Sequence, residues 1–249
     1  RYGLGTNVLG GLYNDEKNGL VPDTKWKRRV LEQSWYLGET VINGIGQGYI
    51  QTTPLQLCLM TAQIANGGYK IKPHIIQDEN LSYENAKLKI ANQFISNANN
   101  LKFDDEKYLI DRDYKLYERL YRNPENIKFV KDAMFGSTNE QYGTSYKSRY
   151  DDLKYQYAGK TGTSQVKRIT EEERKLDLDQ SQIEYKNRDH ALFIAFAPYK
   201  NPRYSISVLV EHGGSGSSTA APLASKLIKK IIDRHALREQ IKKGDTNLA

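Results

Sequence analysis

With a single cysteine, Cys58, the chain has no means of forming an internal disulfide or a metal site of several thiolates. It has no run of about 18 apolar residues that would make a membrane-spanning helix. The first residues, Arg1-Tyr2-Gly3-Leu4-Gly5, show neither the basic start nor the apolar stretch of a secretory leader. Position 1 is not methionine, so the sequence reads as a piece of something longer. Neither sign of charge dominates: 37 Lys and Arg interleave with 30 Asp and Glu to leave +7, which reads as a solvated surface and argues against nucleic acid as a partner. What is present suffices for a core. At 249 residues and 38% hydrophobic content the chain can fold as one large domain or two small ones.

Residues 1–40 are glycine-rich and read as irregular, apart from a short helix begun by Val21-Pro22-Asp23 and running through Trp26 to Arg29. Trp35 and Tyr36 read as core or cleft-wall aromatics. The segment Asn43 to Gly48 packs three glycines and reads as a loop, either packed against backbone or lining a cleft. Thr53 then caps a helix with Pro54 at its first position, running to about Ala65, with Leu55, Cys58, Leu59, Ala62 and Ala65 on one stripe. Asn66-Gly67-Gly68 ends it. Tyr69 to Ile76 alternates as a strand. From Gln77 to Asn126 the composition turns polar and weakly periodic, a peripheral excursion, after which Asn126-Ile127 opens a helix that ends between Gly136 and Gly143.

The stretch Tyr157-Ala158-Gly159-Lys160-Thr161-Gly162-Thr163-Ser164 carries the chemistry. It reads as a strand in which Lys160 and Gly162 share one face and Thr161 and Thr163 the other, unless a local twist gathers ammonium and hydroxyls together. A lysine beside two threonines suits a carboxylate ligand, and a strand glycine marks a close approach. A phosphate-binding P-loop would need glycine at position 154, which is lysine. Residues 167–189 form a charged insert. Ala191 to Ala197 and Tyr204 to Val210 then read as a hairpin, giving three sequential antiparallel strands with the Lys-Thr-Gly strand beside the first of the pair. A helix from Thr219 to about Arg234 should pack on that sheet through Leu223, Leu227, Ile231 and His235, with Ala224, Ile228 and Ile232 adjoining; residues 241–249 read as a tail.

In their order these patterns carry a resemblance. Tyr2-Gly3-Leu4-Gly5, Gly19-Leu20-Val21-Pro22, Gly44-Ile45-Gly46-Gln47-Gly48 with Thr52-Thr53-Pro54-Leu55-Gln56, Ala158 to Ser164, Asp189 to Pro198 and Val210-Glu211-His212-Gly213-Gly214 together resemble the carboxy-terminal part of a class B penicillin-binding protein transpeptidase domain of the elongation type. The resemblance covers nearly the whole of residues 1–240. It implies an α+β fold, an antiparallel sheet with helices on both faces as in serine β-lactamases, incomplete on its amino-terminal side. It implies a serine D,D-transpeptidase that crosslinks peptidoglycan stem peptides and is acylated by β-lactams, without cofactor or metal. Its partners would be cell-wall elongation proteins, and it would work at the periplasmic face of the inner membrane, anchored only by a segment upstream. On the matching residues, Lys160 would set the electrostatics and assist proton transfer. Thr161 and Thr163 would bind the donor carboxylate, the Thr163 N–H would be one oxyanion donor, and Gly162 would keep the strand clear for substrate. The other reading is a non-catalytic remnant or scaffold module that contacts elongation partners.

The family's site also needs Ser-x-x-Lys and Ser-x-Asn. The sole Ser-x-x-Lys here, Ser164 to Lys167, continues a strand and puts its two ends on opposite faces. Ser137-Thr138-Asn139 fits the second motif in form alone and is expected in a loop without catalytic role. The nucleophile is therefore expected upstream of Arg1. This chain alone should form no covalent adduct with a labelled penicillin; intact-mass detection of stoichiometric acylation, mapped to Ser164 or Ser137, would refute that.

Overall fold

The computed structural model describes residues 2–9, 15–73, 118–166 and 182–242. Their elements in chain order are helices α1 (Thr24–Leu31), α2 (Leu37–Gly44), α3 (Pro54–Ala65) and α4 (Pro124–Asn139), strands β1 (Ala158–Ser164), β2 (His190–Ala197) and β3 (Tyr204–Val210), and helix α5 (Ala221–Lys242). The sheet order is β1-β2-β3, antiparallel throughout, with Lys160 opposite Ile194, Gly162 opposite Leu192 and Ala195 opposite Ile206. This is the expected three-strand arrangement.

Strand β2 is apolar from Ala191 to Ala197 because both its faces are covered. Its odd-numbered side, Ala191, Phe193, Ala195 and Ala197, packs on Ala221, Ala224, Ile228 and Ile232 of α5 together with Tyr157. Its other side, through Phe196 and Ile194, meets Ala65 of α3, Met134 and Phe135 of α4, and Ala158. Helices thus lie on both faces of the sheet. The row of α5 that touches it is not the leucine row: Leu223, Leu227 and Ile231 are exposed, and the alanine and isoleucine row one position on is buried. Alanine lets the helix come close, so proximity decides the face over side-chain size.

Helix α3 follows its sequence signals, with the Thr53 hydroxyl accepting from the Gln56 N–H at 3.2 Å and Pro54 at its first position. Its buried face is partly polar, however. Gln56 donates to the carbonyls of Thr6 and Asn18, both at 2.8 Å, and accepts from the Thr53 N–H at 3.1 Å. Gln63 donates to the Tyr2 carbonyl and accepts from the Ile71 N–H, both at 3.0 Å. These two amides tie the amino-terminal segment to the helix, and Leu55 of the expected stripe is exposed instead.

Other boundaries move. Helix α2 occupies part of the stretch expected to be irregular; its Glu39 accepts from the Tyr36 N–H at 2.8 Å and from the buried Lys27 ammonium of α1. That ammonium, with the Tyr36 N–H, holds the Glu39 carboxyl below the usual carboxylate range. Tyr36 is exposed, not core, its ring 4.5 Å from the Lys27 ammonium. The strand expected from Tyr69 is reduced to one bridge between Tyr69 and Arg119, and positions 74–76 lie outside the described residues. Helix α4 starts at Pro124 behind an Asn123 cap, and it runs through Gly136 so that Ser137, Thr138 and Asn139 form its last turn, not a loop. Most of the polar excursion (77–117) and of the charged insert (167–181), and the tail from 243, lie outside the described residues.

Two glycines of β1 differ in what surrounds them. A Cβ at Gly159 would overlap the Phe193 ring and lie 2.8 Å from the Ile194 carbonyl oxygen, whereas one at Gly162 would meet only Leu192 Cβ, at 3.3 Å. Overpacking costs typically about 1–3 kcal/mol. Gly159→Ala should therefore lower urea-unfolding stability by about 2–3 kcal/mol or more, while Gly162→Ala should stay within about 1 kcal/mol of the parent; equal losses would contradict this packing.

Candidate active site

In β1 the backbone groups of alternate residues point to β2, and those of the residues between point away from it. Gly159 belongs to the second set, since its N–H donates to the Thr138 hydroxyl at 3.0 Å, and so do Thr161 and Thr163 by alternation. The last turn of α4 covers the start of this free edge, with the Asn139 amide donating to the Tyr157 carbonyl at 2.9 Å. Beyond Gly159 that turn makes no further backbone contact with β1 among the bonds of the described residues.

The side chains follow the expected alternation. Lys160 and Gly162 lie on the α3/α4 face with Ile194 and Leu192, and Thr161 and Thr163 on the α5 face with Phe193 and Ala191. It is the reach of the lysine, not a twist of the strand, that gathers the polar groups: the Lys160 ammonium donates to the Thr161 carbonyl at 2.8 Å and to its hydroxyl at 3.3 Å. The Thr161 hydroxyl lies 3.1 Å from that of Thr144, which lies 3.2 Å from that of Ser137. An exposed ammonium therefore stands at one end of a row of three hydroxyls. Thr163 is exposed at the far end of the strand.

Nothing in the sequence pairs Thr138, Asn139 and Thr144 with β1. The contacts span 17 to 21 residues and depend on where α4 ends. Beside this row lies an open cavity of about 620 Å³, lined on the α4 side by Phe129, Val130, Ala133 and Met134 and elsewhere by Tyr142, Thr144 and Lys160. Beneath the site Tyr157 is fully buried and donates to the Ser148 carbonyl at 2.8 Å; burial pushes its phenol up to about 12, so it remains a neutral donor. Among the described residues no three His, Cys, Asp or Glu side chains converge as a metal site, and no helix is long and apolar enough to cross a membrane. Ser164 closes β1 opposite His190, and Lys167 lies outside the described residues.

Known proteins are similar to this chain in sequence and fold. The penicillin binding protein transpeptidase domain matches residues 1–229. Peptidoglycan D,D-transpeptidase MrdA of Salmonella typhimurium is 33% identical over 223 residues, which are 90% of this chain and 32% of the relative. MrdA of Escherichia coli K12 is 29% identical over 233 residues, 94% of this chain and 31% of the relative. The crystal structure of Pseudomonas aeruginosa PBP2 in complex with WCK 5153 superposes with a TM-score of 0.63 at 32% identity, covering 92% of this chain and 41% of that one. The complex between PBP2 and MreC from Helicobacter pylori gives a TM-score of 0.64 at 29% identity, covering 93% and 34%. The chain thus spans about a third of the length of these curated relatives. With fold and sequence in agreement over nine-tenths of its length, the chain belongs to the penicillin-binding protein transpeptidase family, on the side of penicillin-binding protein 2.

Proposed function

We propose that this chain supplies the donor-binding half of a peptidoglycan D,D-transpeptidase site. The observation that carries the reading is the free edge of β1, where the outward N–H groups of Thr161 and Thr163 stand beside the Lys160 ammonium and the Thr161 hydroxyl. An extended stem peptide adds to such an edge as a further strand. Its terminal carboxylate meets the hydroxyls of Thr161 and Thr163 with the charge of Lys160 nearby.

The reaction then follows the family's chemistry. A serine outside this chain attacks the penultimate D-Ala carbonyl, its proton passing to a base. The oxyanion is held by the Thr163 N–H and the serine's own N–H. The C–N bond breaks, D-Ala leaves with the proton, and an acceptor amine takes the acyl group and frees the serine. Lys160 favours the negative charge that develops and biases proton transfer. A β-lactam would acylate the same serine through its strained amide. By the same reading the whole protein works at the periplasmic face of the inner membrane with cell-wall elongation proteins; the Helicobacter pylori relative captured with MreC supports that partner class.

A charge-assisted hydrogen bond is worth about 1.5–3 kcal/mol, and about 1.36 kcal/mol is tenfold in rate. In a protein joining this chain to its nucleophile, Thr163→Val should slow penicillin acylation roughly ten- to a hundredfold, and Lys160→Ala more. Lys226→Ala, on the exposed side of α5, serves as control. Stopped-flow acylation with melting temperatures alongside decides it: a normal rate in Thr163→Val, or a rate loss matched by unfolding, removes β1 from the site.

A further inference from the structure

At the end of β1 remote from α4, one residue holds an unfavourable backbone conformation. His212 has φ 53°, in the left-handed region that side chains with a Cβ avoid. What holds it there is explicit. Its N–H donates to Nδ1 of His190 at 2.9 Å. Its own Nδ1 lies 3.1 Å from the Arg188 carbonyl oxygen, which can only accept, so His212 carries its proton on Nδ1. By the same logic Nδ1 of His190 is bare and its proton sits on Nε2. The two rings meet edge to face at 4.8 Å, and the Gly214 N–H donates to the Asp189 carbonyl at 2.8 Å.

The loop so anchored ends against the candidate site. Gly216 opens the π-helical turn Gly216–Ala220, and a Cβ on it would lie 2.5 Å from the carbonyl oxygens of both Gly162 and Leu192 and 3.1 Å from the Gly162 nitrogen. The backbone of Gly216 is therefore pressed onto the peptide groups of Gly162, one residue before Thr163. A strained residue fixed by a side chain of β2, in a loop that buttresses the middle of β1, is where stored strain points to a role.

We infer that His190 is a positioning residue: as acceptor for the His212 N–H it seats the 212–216 loop on Gly162 and so fixes where the Thr163 N–H stands. It touches no reacting atom itself. The inference goes beyond the transpeptidase reading and rests on it only for the kinetic arm of its test.

The variants are His190→Leu, which removes the acceptor, and His190→Asn, whose Oδ1 stands near the place of Nδ1 and does not titrate. In the full chain, amide exchange followed by NMR should speed up at least about tenfold at His212, Gly162 and Ser164 in His190→Leu and return to within about twofold of the parent in His190→Asn. In the longer protein, penicillin acylation should fall about tenfold and recover in the same pattern. Parental exchange in His190→Leu, or an Asn variant as impaired as the Leu variant, overturns the inference. A longer protein whose parent form is not acylated would sink the transpeptidase reading instead, and the exchange arm would still decide this one.

Discussion

Among the described residues strand β1 bonds to one neighbouring strand only, and the candidate site is arranged around that asymmetry. An unpaired sheet edge invites association, and proteins ordinarily cover or blunt it. Here the cover is partial. The hydroxyl of Thr138 and the amide of Asn139 satisfy the edge at Gly159 and Tyr157, and among the described residues this backbone cover stops there. A second strand in that place would complete the sheet and abolish the function proposed for it. Helix α4 consequently does two things with one turn: it ends the exposed edge on one side and sets the three-hydroxyl row beside it on the other. The lysine supplies the charge from the opposite face, which a shorter side chain at position 160 could not do.

Legibility in the sequence divides along range. The hairpin, the order of the strands and the start of α3 are readable because each rests on local signals: two short apolar runs at β2 and β3, two prolines in the turn, and a threonine cap before Pro54. The same cap-and-proline signature stands at Asn123-Pro124, three residues ahead of the apolar periodicity that begins at Ile127. Helix α2 hides behind Gly38 and Gly44, which read as loop residues; what ties it to α1 is the Lys27 contact with Glu39, twelve residues apart. Buried Gln56 and Gln63 belong to no apolar stripe, since their value lies in backbone groups 38 to 61 residues away.

For the site, the alternation of Lys160, Gly162 and the two threonines was visible from spacing alone. What brings them together was not. The contribution of α4 is long-range, and the Ser137-Thr138-Asn139 triplet misleads by its likeness to a motif: in the structure it is a helix end whose middle residue holds a backbone amide of β1. The glycines separate likewise. Gly159 yields to an aromatic ring in the core, while Gly162 carries the weight of another backbone, a distinction that no sequence pattern encodes.

Beside Phe193, Ile228 and Ile232, the contact between α5 and the sheet has a stretch made of methyl groups: Ala191, Ala195 and Ala197 on the strand, Ala220, Ala221 and Ala224 on the helix side. Alanine has no side-chain rotamers, so burying it forfeits none of their entropy, and none are left to take up a relative displacement. A seam of this kind behaves as a hard coupling rather than a cushion. At those alanines a shift of α5, whose leucine row looks outward, would find no rotamer to absorb it and would be carried into β2.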